Sequence, residues 1–175
     1  RHSDMPLIMK TYEQWHKEGK PVLKGLHNAI EDIWLEKRVM REYVGSEKNL
    51  SAVSSSCNKA FHDQYKGSAD PLLQSWGAVG PLAITWEGRR AYEGIEGVDE
   101  CMSLIPGDLQ DKVKEWVSRI EGCKTSADCI ALAEDVYGEI KANEKKPKPA
   151  KPDDEDGQCE AEKEGETDGG KGDDQ

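Results

Sequence analysis

The stretch Leu26–Leu50, LHNAIEDIWLEKRVMREYVGSEKNL, carries the strongest helical pattern in this chain of 175 residues. Apolar side chains recur every three or four residues through it and just ahead of it. They are Leu23, Leu26, Ile30, Ile33, Trp34 and Val39 or Met40. This period predicts an amphipathic helix over residues 21–43. Gly45 predicts the end of that helix, and Ser46 is a candidate cap for the next one.

Helical periodicity extends in both directions from this stretch. We predict one helix before residue 17 and another over 47–66. The apolar face of the latter is predicted to consist of Leu50, Val53, Cys57, Ala60, Phe61 and Tyr65. Further helices are predicted over 71–76, 81–92, 98–105 and 108–120 and after Ser126, with a break at 77–81. A strand over 84–86 would have no second strand to pair with, so the predicted fold is all-α, an irregular domain of about seven helices.

The composition changes after Ala142. Residues 144–152 are rich in proline and lysine, which predicts an extended linker. Residues 153–175 contain aspartate, glutamate and glycine but no aliphatic side chain larger than alanine. Such a segment cannot bury enough apolar surface to offset the loss of chain entropy, so we predict a disordered acidic tail. The helical domain is therefore expected to span residues 1–143.

The negative charge of the chain is concentrated in that tail. Residues 153–175 hold 11 acidic residues and 2 lysines, which is −9 of the net charge of −11. The other 152 residues carry only −2 and lack the clustered lysine and arginine that phosphate binding needs, so we expect no nucleic-acid partner. No signal-peptide pattern and no apolar run near the ~18 residues of a membrane span is seen. We therefore expect a cytoplasmic protein without a membrane partner.

The cysteines predict free thiols. There are five of them, an odd count with wide spacing: Cys57, Cys101, Cys123, Cys129 and Cys159. Five residues separate Cys123 from Cys129, which is not a zinc-finger spacing. Reduced cysteines are typical of the cytosol, and a disulfide framework is the less favoured interpretation.

His27 and Glu31 are the candidate site residues of the central helix. Their spacing of four places both side chains on one helix face, one turn apart. Imidazole nitrogen and carboxylate oxygen both suit zinc, so the pair is a candidate for binding a metal ion. No phosphate-binding glycine loop, no G-x-S-x-G and no H-E-x-x-H occurs in the sequence. The chain therefore holds no self-contained catalytic constellation.

A second interpretation of these carboxylates is a solvated helix face. In this case Glu31, Asp32 and Glu36 point to water and form ion pairs with basic residues of the same helix. The candidate partners are Lys24, Arg38 and Arg41. Glu31, however, lies beside Ile30 at the edge of the apolar stripe, where a carboxylate is partly buried and needs a partner.

The same helix resembles that of CobT-type proteins, the family of the large cobaltochelatase subunit, which includes phage-encoded versions. The family pattern N-A-[LI]-E-x-x-R-[IL]-E, followed by P-G-x-x-x-N-L, corresponds here to residues 28–36 and 44–50. Trp34 replaces the usual arginine, and Val44 replaces the usual proline. The order of a helical domain and an acidic linker is also similar. In the family, that linker leads to a von Willebrand-type metal-binding domain with a D-x-S-x-S signature, which residues 1–175 do not contain.

The resemblance implies an accessory subunit that works with an AAA+ ATPase partner. In the cobaltochelatase case, the complex inserts cobalt into a corrin ring for cobalamin biosynthesis, and this subunit performs none of the ATP chemistry. Related proteins that couple such a helix to a von Willebrand domain often carry H-E-x-x-H upstream. By that analogy the motif would precede Arg1, Glu31 would be the third zinc ligand, and the chain would be a fragment of a zinc metallopeptidase. A structural helical domain with a solubilising tail is the third possibility.

Overall fold

A computed structural model describes residues 3–144, and every regular element in this range is helical. The seven α-helices are α1 (Met5–Lys17), α2 (Pro21–Glu42), α3 (Ser46–Tyr65), α4 (Trp76–Arg89), α5 (Val98–Met102), α6 (Gly107–Ile120) and α7 (Ser126–Glu144). A 3₁₀ turn, Pro71–Gln74, precedes α4. The predicted all-α fold is confirmed. None of these helices combines the length and the apolar character needed to cross a bilayer.

α7 is described up to Glu144, one residue beyond the predicted end of the helical domain at 143. The predicted domain bounds stay a prediction. The rest of the predicted linker and the whole predicted tail, 145–175, lie outside the described residues.

α2 is the helix against which most of the others pack. It begins with Pro21, whose missing N–H has no hydrogen bond to lose in the first turn. Beyond its end, Gly45 adopts a φ of +90°, a left-handed conformation that favours glycine and turns the chain into α3. The apolar stripe predicted from the sequence is buried at Leu23, Leu26, Ile30, Ile33 and Trp34. α4, α6 and α7 contact it from different sides, and α1 covers its first half.

α2 and α4 cross so closely that position 88 requires glycine. A Cβ atom on Gly88 of α4 would lie 2.6 Å from Cγ1 of Ile33, and a Cβ on Gly25 of α2 would lie 3.4 Å from Cγ of Pro81. Gly25 of α2 lies against Pro81 of α4, and Ile33 lies against Gly88. The residue numbers rise together along the two helices, so α2 and α4 run parallel. A parallel pair needs a connection that returns along its length, and α3 with the 3₁₀ turn lies in that connection.

The predicted helix break at 77–81 is wrong, because α4 continues through Pro81. The proline is the sixth residue of the helix, so its missing N–H removes a single hydrogen bond, the one to the carbonyl of Gly77. Its ring fills the space over Gly25. The Thr85 hydroxyl donates to the Pro81 carbonyl at 3.0 Å. Tertiary packing on both sides of α4 therefore outweighs the local tendency of residues 77–81 to break a helix.

The predicted apolar face of α3 is also wrong in part. The residues that α3 buries are polar: Ser51, Ser54 and Asn58. The Asn58 amide donates to the Glu96 carbonyl at 2.8 Å, and its backbone carbonyl accepts from the Cys101 thiol at 3.3 Å. Of the predicted face, only Leu50, Phe61 and Tyr65 are half-buried, whereas Val53, Cys57 and Ala60 are exposed.

Gly88→Ala tests the close crossing of α2 and α4. We expect the free energy of unfolding to fall by about 1–3 kcal/mol, because the new methyl group overlaps the branched and buried side chain of Ile33. Gly138→Ala is the matched control, since a Cβ there meets nothing within 4 Å and α7 would gain up to about 1 kcal/mol of helix propensity. Equal effects of the two substitutions in denaturant unfolding would contradict a close crossing.

Candidate functional site

α2 places the two predicted site residues side by side in the interior. Nε2 of His27 lies 3.4 Å from Oε2 of Glu31, and the exposed fractions of the two residues are 0% and 7%. His27 and Glu31 therefore lie next to each other on one face of α2, as predicted. The prediction of a solvated face is wrong for Glu31, because burial removes this carboxylate from water.

Glu31 finds its partner on α7. The hydroxyl of Ser126, itself buried, donates to Oε1 of Glu31 at 2.8 Å. The same hydroxyl oxygen accepts the backbone N–H of Asp4 at 3.0 Å. Since Asp4 is also the N-cap of α1, with its carboxylate accepting the Leu7 N–H at 3.1 Å, this chain of hydrogen bonds joins the starts of α1 and α7 to the middle of α2.

α1 orients the imidazole ring of His27. The Tyr12 hydroxyl lies 2.8 Å from Nδ1 of His27 and donates to Oδ1 of Asn28 at 2.5 Å. A hydroxyl has one proton, so with that proton on Asn28 the oxygen accepts from the Nδ1–H of His27. The remaining ring nitrogen, Nε2, is then unprotonated, and it has no hydrogen-bond partner among the described residues. Trp15 closes the site with an edge contact to the ring, 6.1 Å between centroids.

Burial shifts the pKa values of His27 and Tyr12 in this cluster. Burial lowers the pKa of His27, and the Glu31 carboxylate opposes the shift without cancelling it. The imidazole is therefore neutral at physiological pH. Burial, together with the charges of Glu31 and Asp32, raises the pKa of Tyr12 to about 12, so the phenol stays protonated and holds its two hydrogen bonds.

His27 and Glu31 are the two residues at this position that could hold a zinc ion. A neutral imidazole whose Nδ1–H is held by a hydrogen bond is the usual form of a zinc-binding histidine. Zinc bonds of ~2.0–2.1 Å in a tetrahedron put neighbouring ligand atoms about 3.3 Å apart, close to the 3.4 Å between His27 and Glu31. A structural or catalytic site needs at least three protein ligands, and residues 3–144 hold no group of three or more such side chains. These residues alone do not complete a zinc site.

Glu36, another carboxylate of the predicted solvated face, has different partners from those predicted. Glu36 accepts two hydrogen bonds from Arg89 of α4, at 2.9 and 2.5 Å, and one from the Tyr92 hydroxyl at 3.0 Å. The pairing is therefore between helices, not along α2. Partial burial raises the pKa of Asp32, and the neighbouring Glu36 charge adds to the effect.

Comparison with protein-family models, with curated proteins and with solved structures finds no match to this chain.

Tyr12 and Ser126 are the site residues that the sequence did not indicate. Tyr12 fits the apolar stripe of α1, and Ser126, like Thr125, is a candidate helix cap. The cap of α7 is Thr125, whose hydroxyl oxygen accepts the backbone N–H of Asp128 at 3.2 Å. Oδ2 of Asp128 in turn accepts the backbone N–H groups of Lys124 and Thr125, both at 2.9 Å. This local arrangement leaves the Ser126 hydroxyl available to Glu31.

The lowered pKa of His27 predicts a loss of stability in mild acid. Below about pH 6.5 the unfolded chain binds a proton at this residue and the folded chain does not, so the free energy of unfolding should fall as the pH falls, by at most about 1.4 kcal/mol per pH unit. Denaturant unfolding between pH 5 and 8 should show this slope in the native chain and lose it in His27→Gln. His16→Gln, at an exposed position of α1, should retain it. Identical slopes in all three proteins would refute the assignment.

Proposed function

We propose that this chain is a non-catalytic assembly subunit whose helical domain docks a partner protein through the exposed apolar side of α3. The surface consists of Val53, Cys57 and Ala60, and we refer to it as the α3 surface. The observation that supports the proposal is the orientation of this helix: it packs inward on serine and asparagine and directs part of its apolar stripe to solvent.

The exposure of this side is large for apolar residues. Val53 is 67% exposed, and the turn that leads into α3 exposes Tyr43 and Val44 by 63% and 106%. A clustered apolar surface on a helix, in contrast to scattered single residues, is typical of a protein interaction site. The inward side of α3 is fixed by the hydrogen bonds of Asn58, so the helix cannot rotate to bury Val53 without breaking them.

The class of partner in this proposal is an AAA+ ATPase. It rests on the resemblance of the Asn28–Glu36 helix to CobT-type proteins, in which a helical subunit works with such an ATPase and leaves ATP hydrolysis to it. The cobaltochelatase-type role, cobalt insertion into a corrin ring, is the specific form of the proposal. The four described cysteines, Cys57, Cys101, Cys123 and Cys129, are free thiols, which supports a cytoplasmic setting for it.

Ala60→Glu tests the proposed α3 surface against a matched change on the same helix. The AAA+ ATPases of the same genome are expressed one at a time with the full chain, and binding is measured by titration calorimetry and by the change in ATP hydrolysis. We expect Ala60→Glu and Val53→Glu to weaken binding at least about tenfold, because a carboxylate would be buried against apolar surface.

Ala52→Glu is the control for this experiment, since Ala52 is exposed on α3 but lies outside the α3 surface. It should leave the affinity unchanged. Equal affinity of all three variants would exclude the α3 surface as the contact, and the absence of binding to any AAA+ ATPase would exclude the partner class.

A second candidate function, part of a zinc metallopeptidase, is favoured by the 3.4 Å distance between Nε2 of His27 and Oε2 of Glu31. In this proposal Glu31 is a ligand to a zinc ion whose other ligands come from histidines outside residues 3–144. His27 would either join them or position Glu31. The burial of both side chains counts against it, since a catalytic zinc ion needs an open position for water and substrate.

Metal analysis of the full-length protein decides between the two candidates. If zinc is bound here, the native protein should retain about one equivalent after gel filtration, and Glu31→Gln should lose it, because the amide cannot replace the carboxylate charge. Asp32→Asn, one residue away and exposed, should retain the metal. Zinc content that is unaffected by Glu31→Gln would remove the peptidase candidate.

A further inference from the structure

A groove with basic walls lies where α2 ends beside the α6–α7 turn. Its volume is about 530 Å³, and four of its lining residues are cationic: Lys37, Arg38, Arg41 and Lys124. Residues 1–144 as a whole carry 18 basic and 24 acidic side chains, a net charge of −6. The groove is therefore a positively charged region on a body whose net charge is negative.

The lining of this groove carries more positive than negative charge. Lys37 lies 3.4 Å from Glu121, the carboxylate that lines the same groove. Glu121 is the one carboxylate among the residues that line the groove, so the four cations of the lining outnumber it.

The base of the groove holds its basic side chains in place. The guanidinium of Arg38 lies over the Trp34 ring, 4.9 Å from its centroid, and donates to the Lys124 carbonyl at 3.4 Å. The Trp34 indole N–H donates to the Cys123 carbonyl at 2.9 Å. The indole and the turn before α7 are therefore locked together, and the remaining N–H groups of Arg38 are available to an acidic ligand.

The last described residue, Glu144, lies one length of α7 away from this groove. Cys123 and Lys124 precede the first turn of α7, whereas Glu144 lies at its other end, near Gly77. The 19 residues of α7 extend about 28 Å at ~1.5 Å per residue. The nine residue steps from Glu144 to Asp153 can span about the same distance, at ~3.1 Å per residue for a proline-rich chain.

We propose that this groove is the docking site of the chain's own acidic segment, residues 153–175. The segment carries −9, begins with the acidic run Asp153–Asp156 and is tethered within reach of the groove. A short tether gives an effective concentration in the millimolar range, so weak contacts between carboxylates and guanidinium or ammonium groups are sufficient. A nucleic acid is disfavoured as the occupant, because the body and the tethered carboxylates both repel phosphate. The inference does not depend on the α3 surface.

Two native cysteines report on this contact in the full chain. Cys123 lines the groove, and Cys159 lies three residues after Asp156 in the acidic segment. Burial raises the pKa of Cys123, so this thiol reacts slowly unless a partner is held nearby. Cys57 is exposed on α3 and serves as the internal comparison. The full chain is oxidised with glutathione disulfide at low salt, and the disulfides are mapped by peptide mass spectrometry.

The expected result is a predominance of the Cys123–Cys159 disulfide over Cys57–Cys159 by at least about fivefold. In 1 M NaCl the ratio should fall to one or below, because the screening length falls to about 3 Å and the exposed Cys57 thiol is then the more accessible of the two. The double substitution Arg41→Glu and Lys124→Glu should have the same effect at low salt. Lys10→Glu with Lys17→Glu, two exposed positions of α1, is the matched control and should leave the ratio unchanged.

Two results would overturn the proposal. One is a disulfide ratio that neither salt nor Arg41→Glu with Lys124→Glu alters. The other comes from mixing isotopically labelled with unlabelled chains: Cys123–Cys159 peptides that join one labelled and one unlabelled chain would assign the groove to the segment of a second copy. Peptides that are wholly labelled or wholly unlabelled support docking within one chain.

Discussion

The close parallel crossing of α2 and α4 is the constraint on which the rest of the fold depends. Gly88 lacks the side chain that would hold the two helices apart, and Ile33 fills the space beside it, while Pro81 packs over Gly25. Once this pair is set, α6 and α7 cover its remaining apolar side, and α3 is confined to the connection between the two helices. The fully buried residues of α3 are polar, and Phe61 adds an apolar contact with Trp86, 4.9 Å between ring centroids.

The interior around His27 and Glu31 follows from the same arrangement. A buried carboxylate is costly unless it receives hydrogen bonds, and the Ser126 hydroxyl supplies one from α7. Tyr12 holds the imidazole from α1. Three helices thus converge on one polar cluster, and removing any member would leave another polar atom without its partner. This cluster ties α1 to the body, where apolar contact with α2 and α7 is limited to one side of the helix.

The sequence was sufficient for the helical class and for the bounds of α2, because long periodic patterns with proline and glycine at their ends are local signals. It also identified the pairing of His27 with Glu31, which helix geometry alone dictates. The sequence-based prediction was wrong at Pro81 and for the apolar face of α3, because packing against residues distant in the sequence determines the structure at both places. The contact between Glu31 and Ser126, 95 positions apart, could not be predicted from one sequence, since a serine at a helix start has a simpler local explanation.

The parallel arrangement also has a consequence for the order in which the molecule is made. α2 leaves the ribosome long before α4, so its apolar stripe and the His27–Glu31 pair first meet water without the helices that later cover them. The α6–α7 hairpin, by contrast, can form from neighbouring residues as soon as both helices are complete. Contacts between distant segments form slowly because the intervening chain must first be ordered. The apolar stripe of α2 is therefore exposed to water for longer during synthesis than that of the α6–α7 hairpin.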